Sequence, residues 1–114
     1  MFDFHNKKVL VTGAGSGIGR ETAVVLSKLG ADLILIDLNE ESLEETSKLI
    51  AQKAILKTVD LCDFDNLPLI VSEIYVSKGM INGLVHCAGI SSRKPLTVLN
   101  PAGFSKVLNV NFFA

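Results

Sequence analysis

A chain of 114 residues is long enough for one domain with its own core and too short for two. It is 48% hydrophobic and 20% charged with a net charge of −1, which excludes a disordered segment and offers no basic excess for nucleic acid. Six Phe, one Tyr and no Trp leave little aromatic surface for base stacking, and the apolar runs are too short to cross a bilayer.

The mixed, polar start through Lys8 has no leader pattern, so a cytoplasmic protein without nucleic-acid or membrane partners is expected. Cys62 and Cys87 form neither a disulfide framework nor a metal knuckle. Reduced, buried thiols are expected, and no metal site is read.

The first strand is predicted over Lys8 to Val11 and feeds the glycine-rich stretch from Thr12 to Gly19. A strand, a tight turn and a helix start in this order bring N–H groups and a helix N-terminus up to a phosphate. Glycine supplies left-handed backbone angles and lets a ligand come close. The alternative is a loop that is merely glycine-rich, but both flanking patterns are present. The first helix runs from Ser16 to Leu29, with Ile18, Thr22, Val25, Leu26 and Leu29 on its apolar side. Gly30 ends it.

The second strand, Asp32 to Ile36, is unbroken and apolar from Leu33, as for a strand covered on both faces. Asp37 stands at its C-terminal end. The second helix starts near Asn39, with Glu40, Glu41, Glu44 and Glu45 early and Lys48 and Lys53 late, which suits the helix dipole. Leu43, Ser47 and Ile50 form its inner stripe, and the charges form a solvated face.

The third strand spans Ala54 to Val59 and ends at Asp60. The third helix begins after Asp63 or Asp65, tolerates Pro68 in its first turn, turns Leu67, Ile70, Val71 and Ile74 inward, and closes at Lys78-Gly79. The fourth strand, Asn82 to His86, runs into Cys87, Ala88 and Gly89, and a polar loop from Ser91 to Lys94 follows. Asn100 and Pro101 open a fourth helix as N-cap and N1, with Phe104, Val107, Leu108 and Asn111 on one face. The sequence stops within this helix, at Ala114.

Strict alternation of strands and helices predicts an α/β domain over residues 1–114: a Rossmann-like, doubly wound parallel sheet. Right-handed crossovers give strand order 3-2-1-4, truncated after the fourth helix. A ligand then binds at the C-terminal ends of strands one and four. Thr12–Gly19, Asp37, Asp60 and Ala88-Gly89 all fall on that edge.

The common dinucleotide fingerprint G-x-G-x-x-G fits in neither register: from Gly13 the sixth residue is Ile18, and from Gly15 it is Arg20. A Walker A loop needs Gly-Lys-Ser/Thr, whereas Gly19 precedes Arg20-Glu21. The pattern that fits is T-G-x-x-x-G-x-G. In it the sequence resembles the short-chain dehydrogenase/reductase family, from about Lys7 to the last residue. Thr12, Gly13, Gly17, Ile18 and Gly19 match the family's cofactor loop, with Ser16 inside it. Asp37 matches the acidic residue after strand two, and Asp60-Leu61 matches a pair beside the adenine. Ala88-Gly89 matches the end of an Asn-Asn-Ala-Gly motif. Asn109-Val110-Asn111 matches the segment carrying the catalytic asparagine, which the resemblance places on Asn111; there it holds a water that links an active-site lysine to solvent.

The resemblance implies an NAD-dependent oxidoreductase that moves hydride between the cofactor and a small alcohol/carbonyl substrate, of which 3-oxoacyl reductases are one type. Asp37 can accept both adenosine ribose hydroxyls and would repel a 2′-phosphate, so NAD is favoured over NADP. Ser16 and Leu38 are uncharged and would not bind that phosphate. Two bland alternatives stay open: Asp37 as a turn cap, and Asp60 as the cap before the third helix. His86-Cys87 departs from the family's asparagine pair, so the local hydrogen bonding must differ. Neither residue is read as catalytic, and His86 is read as a satisfied structural histidine.

The family's Ser and Tyr-x-x-x-Lys have no match. Tyr75 is followed four residues on by Gly79, with Lys78 only three away, so Tyr75 is packing or surface. The chain therefore resembles the N-terminal part of a longer enzyme, inactive alone; a short gene product and a fragment are both compatible with it. A second class is a nucleotide-binding or interaction module without catalysis. A methyltransferase reading of Gly13-Ala14-Gly15-Ser16-Gly17 is disfavoured, because Val11 and Thr12 stand where an acid is usual. A fifth strand would normally cover strand four. Without one, its edge, Leu84, Val85, Phe104 and Phe112 lose cover, and a homo-oligomer is expected.

Overall fold

Val9–Val11 and Leu33–Ile36 leave no polar face in either run, and both become central strands buried on both sides. A computed structural model of the chain describes residues 3–89 and 101–109. Its elements alternate as β1 (Lys8–Thr12), α1 (Gly17–Lys28), β2 (Asp32–Asp37), α2 (Glu40–Lys48), β3 (Ile55–Thr58), α3 (Leu67–Lys78), β4 (Gly83–His86) and α4 (Pro101–Leu108). The strands form one parallel sheet in the order β3-β2-β1-β4, as the alternation predicts. Val9 registers with Leu33 on one side and Gly83 on the other.

Alternate side chains feed two cores. Val9, Val11, Leu33 and Leu35 pack with Ala23 and Leu26 of α1 and Leu43 of α2. Leu10, Ile34 and Ile36 pack on the opposite face with Val59 and with Ile74 of α3. Leu43 and Ile74 are the pins of α2 and α3, and each such side chain contributes about 1.5–3 kcal/mol by leaving water.

The helix faces differ from the apolar pattern, for reasons of size. In α1 the buried residues are Gly19, Ala23, Leu26 and Ser27, whereas Ile18 and Val25 are exposed. Small residues let α1 lie close on the sheet, and a hydrophobicity pattern does not register them. In α2 the buried pair is Leu43 and Thr46, with Ser47 only half-buried, and the helix ends before Lys53. Asn39 caps it by accepting from the Ser42 N–H at 3.0 Å. In α3 only Ile74 is fully buried; Leu67 and Ile70 pack partly, while Val71 and Tyr75 are exposed because only one side of the helix meets the sheet. Gly30 and Gly79 adopt positive φ just past α1 and α3.

Pro101 opens α4. The polar loop from Ser91 to Lys94, Asn100, Asn111 and Phe112 lie outside the described residues. Among the described strands β4 pairs with β1 alone, and its Leu84 is exposed. Val85, expected to lose cover, packs against the α1 side of the core.

The β1–β4 seam is tied by Thr12, which is 5% exposed. Its Oγ1 accepts from the N–H groups of Cys87 at 3.1 Å and Ala88 at 3.3 Å. The same oxygen lies 2.7 Å from His86 Nδ1.

Thr12→Val takes this acceptor from the Ala88 N–H, while the Cys87 N–H keeps the carbonyl of residue 12 at 3.2 Å, and is expected to cost about 1–3 kcal/mol in denaturant unfolding, with Thr12→Ser recovering most of it. Gly19 and Gly17 separate sterics from backbone angle. A Cβ at Gly19 would overlap the Gly13 carbonyl oxygen, while Gly17, at φ +53°, faces open space. Gly19→Ala should destabilise by about 3 kcal/mol or more. Gly17→Ala should cost only about 1–2 kcal/mol, read by the same unfolding.

Candidate functional site

The turn between β1 and α1 is built by close backbone approach. Gly13 takes φ +66°, and a Cβ there would stand 2.6 Å from the Ala88 nitrogen. The N–H of Ala14 bonds the Ile36 carbonyl at 3.1 Å, which holds the turn over the end of β2. A Cβ on Gly15 would meet the Ser42 Cβ at 2.7 Å and the Asp37 Oδ2 at 2.9 Å. The turn is thus pressed against α2 and the end of β2, and only glycine fits.

Ser16 is the N-cap of α1 with extended backbone, and its side chain makes no capping bond. Helix geometry gives the N–H groups of Gly17, Ile18 and Gly19 no acceptor within the helix. These donors and the helix dipole make an anion-binding end.

Asp37 ends β2 with both carboxylate oxygens engaged by backbone. Oδ2 accepts from the Gly15 N–H at 2.9 Å, and Oδ1 accepts from the Asn39 N–H at 3.1 Å. It therefore does cap a turn, and its carboxylate also lines the cleft described next. Each oxygen keeps further accepting capacity. Asp60 behaves alike: Oδ1 accepts from the Cys62 N–H at 2.9 Å, and the residue is exposed on the cleft wall.

A cleft of about 760 Å³ opens along the C-terminal edge of the sheet. It brings together Gly13, Ser16, Gly17, Ile18, Gly19, Asp37, Asp60, Leu61, Ala88 and Gly89, all the cofactor-site residues the sequence suggests. Asn111 lies outside the described residues. The sequence reading weighed Leu38 only for its lack of charge and missed Ile36 and Val59, which with it add apolar wall, and Ala102, Ser105 and Lys106 of α4 with Asn109 just past its end. Their i, i+3, i+4, i+7 spacing is a readable signal, but the apolar spacing in the same segment is the stronger one. Cys62 and Cys87, expected to be buried, are half-buried free thiols on the cleft wall.

A cleft of this volume suits a drug- or cofactor-sized ligand. Its charged groups are the carboxylates of Asp37 and Asp60 and the ammonium of Lys106.

Known proteins are similar to this chain in sequence and in fold. The family model described as short chain dehydrogenase matches residues 7–114. Levodione reductase from Leifsonia aquatica is 36% identical over 114 residues, which cover 95% of this chain and 43% of that protein. Dehydrogenase/reductase SDR family member 7B from Bos taurus is 36% identical over 117 residues, covering 95% of this chain and 36% of that protein. Among solved structures, a citronellol catabolism dehydrogenase from Pseudomonas aeruginosa superposes with a TM-score of 0.87 at 34% identity, over 96% of this chain and 46% of that one. A short chain dehydrogenase from Mycobacterium paratuberculosis bound to NAD gives a TM-score of 0.87 at 26% identity, again over 96% of this chain and 46% of that one. The chain spans less than half the length of these relatives. With a family match over nearly its whole length, the fold and the glycine turn in place, the chain belongs to the short-chain dehydrogenase family.

Proposed function

We propose that the chain is the NAD(H)-binding part of an oxidoreductase whose reaction moves a hydride between NAD and a small alcohol or carbonyl compound. The observation that carries this reading is Asp37, fixed by the N–H groups of Gly15 and Asn39 at the rim of a glycine-built cleft. The residues fit a dinucleotide. Gly17, where a Cβ would meet nothing, lines the cleft with backbone alone, and the α1 N-terminus offers donors for a diphosphate.

In this reading the N–H groups of Ser16 to Gly19 hold the diphosphate, and Asp37 accepts from the adenosine ribose hydroxyls. Asp60 and Leu61 border the adenine, with Ile36, Leu38 and Val59 as apolar wall. Ala88 and Gly89 keep the floor low beside the ribose. When bound, the nicotinamide supplies the hydride acceptor or donor. Asn111 is assigned a water-holding catalytic role by its match to the family motif. The carbonyl side could be a 3-oxoacyl compound.

No Tyr-x-x-x-Lys occurs in the sequence, so the chain by itself is expected to bind without turnover. That same feature favours the second reading, a nucleotide-binding module without catalysis. Among the described residues no helix is long and apolar enough to cross a membrane. A cytoplasmic homo-oligomer completes the proposal, supported by the exposed Leu84 on β4 and the exposed Leu69, Tyr75 and Val76 on α3.

Calorimetry should show NAD binding, with NADP weaker by about tenfold or more, because a carboxylate beside a 2′-phosphate costs more than about 1.4 kcal/mol. Asp37→Asn should narrow that gap to about threefold or less. Equal affinity of the unmodified protein for both dinucleotides would overturn the NAD assignment. Oxidation or reduction of mixed alcohols and ketones at a measurable rate would remove the second reading.

A further inference from the structure

We propose that Arg20 and Thr46 form a clamp that positions the glycine turn and, through it, Asp37, and so sets the discrimination against a 2′-phosphorylated dinucleotide. The inference rests on the dinucleotide reading of the cleft. Arg20 directly follows Gly19, but it does not line that cleft; its side chain crosses to α2 instead. Nε donates to Thr46 Oγ1 at 3.0 Å. Nη2 donates to the Gly15 carbonyl at 2.5 Å and lies 3.3 Å from Glu45 Oε2. Thr46 is fully buried, and its hydroxyl donates to the Ala14 carbonyl at 2.8 Å, with the Ser42 carbonyl of its own helix farther off at 3.1 Å.

These bonds seize two consecutive peptide units. The carbonyl of Ala14 and the N–H of Gly15 belong to one planar trans peptide, so they point in opposite directions. Thr46 holds the carbonyl end of that plane, and Asp37 Oδ2 takes the N–H end at 2.9 Å. The hydroxyl therefore aims the N–H that fixes the carboxylate. The next peptide joins the Gly15 carbonyl to the Ser16 N–H. Arg20 holds its carbonyl end on the α2 side, which turns the Ser16 N–H the other way.

Such a clamp has a physical reason to exist. Gly13, Gly15 and Gly17 are required by close contact or positive φ, and glycine gives the turn more freedom than any other residue. The donors of the turn need outside support to stay aimed. Neither Arg20 nor Thr46 touches the ligand space, so both act through Gly15 and are positioning residues.

The variants are Arg20→Met, Thr46→Val and Thr46→Ser. Hydrogen exchange in the ligand-free protein reads the clamp directly. Arg20→Met and Thr46→Val should speed exchange of the amides between Gly13 and Gly17 by about tenfold, and Thr46→Ser should stay near the parent rate. Calorimetry with ADP-ribose and 2′-phospho-ADP-ribose reads the consequence: the affinity ratio should fall at least about threefold in the first two variants and hold in the third. A purely structural role would weaken both probes by one factor and leave the ratio unchanged, which would overturn the inference, as would parent exchange rates in folded variants. If Arg20→Met fails to fold, Thr46→Val, nearly the same shape, carries the test. A parent protein that bound neither probe would defeat the dinucleotide reading, and the exchange arm would still decide the clamp.

Discussion

The structure depends on one close approach, where the first turn of α1 lies against the end of β1 with no Cβ between them. Gly19 sits beneath the Gly13 carbonyl, and Gly13 in turn lies against the backbone of Cys87 and Ala88. The two ends of one turn and a segment distant in sequence thus meet backbone to backbone. Side chains would push them apart, and the donors at the helix start would no longer overlook the cleft. Burial of Ala23 and Leu26 on the same face holds α1 in that position. Hydrophobic packing and the ligand edge therefore rest on the same small residues.

From that contact the topology places everything else. In a parallel sheet every strand delivers its C-terminal end to the same side, and the order β3-β2-β1-β4 puts the reversal of winding between β1 and β4. Asp37 is delivered by β2, Asp60 by the segment after β3, and Ala88 and Gly89 by the segment after β4. No single motif has to carry the site, because four connections converge on one cleft. This convergence also explains why a turn that departs from the most familiar glycine fingerprint can line the same kind of cleft. What matters is which positions lack a Cβ at the contacts, and Gly13, Gly15 and Gly19 meet that need in a different spacing.

The strands were legible because their signal is simple. Leu33–Ile36 can only be buried on both sides, and Asn39 followed by acidic residues can only start a helix well. The helix faces were less legible. Ile18, Val25 and Val71 are apolar yet exposed, while Gly19, Ser27 and Thr46 are small or polar yet buried. Hydropathy weighs side chains one at a time, and these positions are decided by how near two backbones come and by where a hydroxyl finds partners. Thr46 shows this well, since its burial is explained by an acceptor in the turn and a guanidinium donor, neither visible in a local pattern. The cleft-lining face of α4 was missed for a similar reason: Ala102, Ser105, Lys106 and Asn109 are ordinary surface residues until the crossover brings them over the sheet edge.

The departure at His86 has a physical meaning of its own. The residues after β4 must hold Ala88 and Gly89 low, because Gly13 packs on the Ala88 nitrogen. Thr12 does this with one hydroxyl, which serves two N–H groups and an imidazole nitrogen at once. An amide side chain in place of His86 could offer an oxygen to the same hydroxyl proton, and an imidazole offers Nδ1. What the seam needs at the end of β4 is a group that shares a hydrogen bond with that hydroxyl, not a particular residue. The Cys87 N–H has a second acceptor in the Thr12 carbonyl at 3.2 Å, so main chain and hydroxyl hold the seam together at Cys87, while at Ala88 the hydroxyl holds it. The side chain that departs from the family pattern therefore joins a seam whose grip on the cleft floor comes from Thr12.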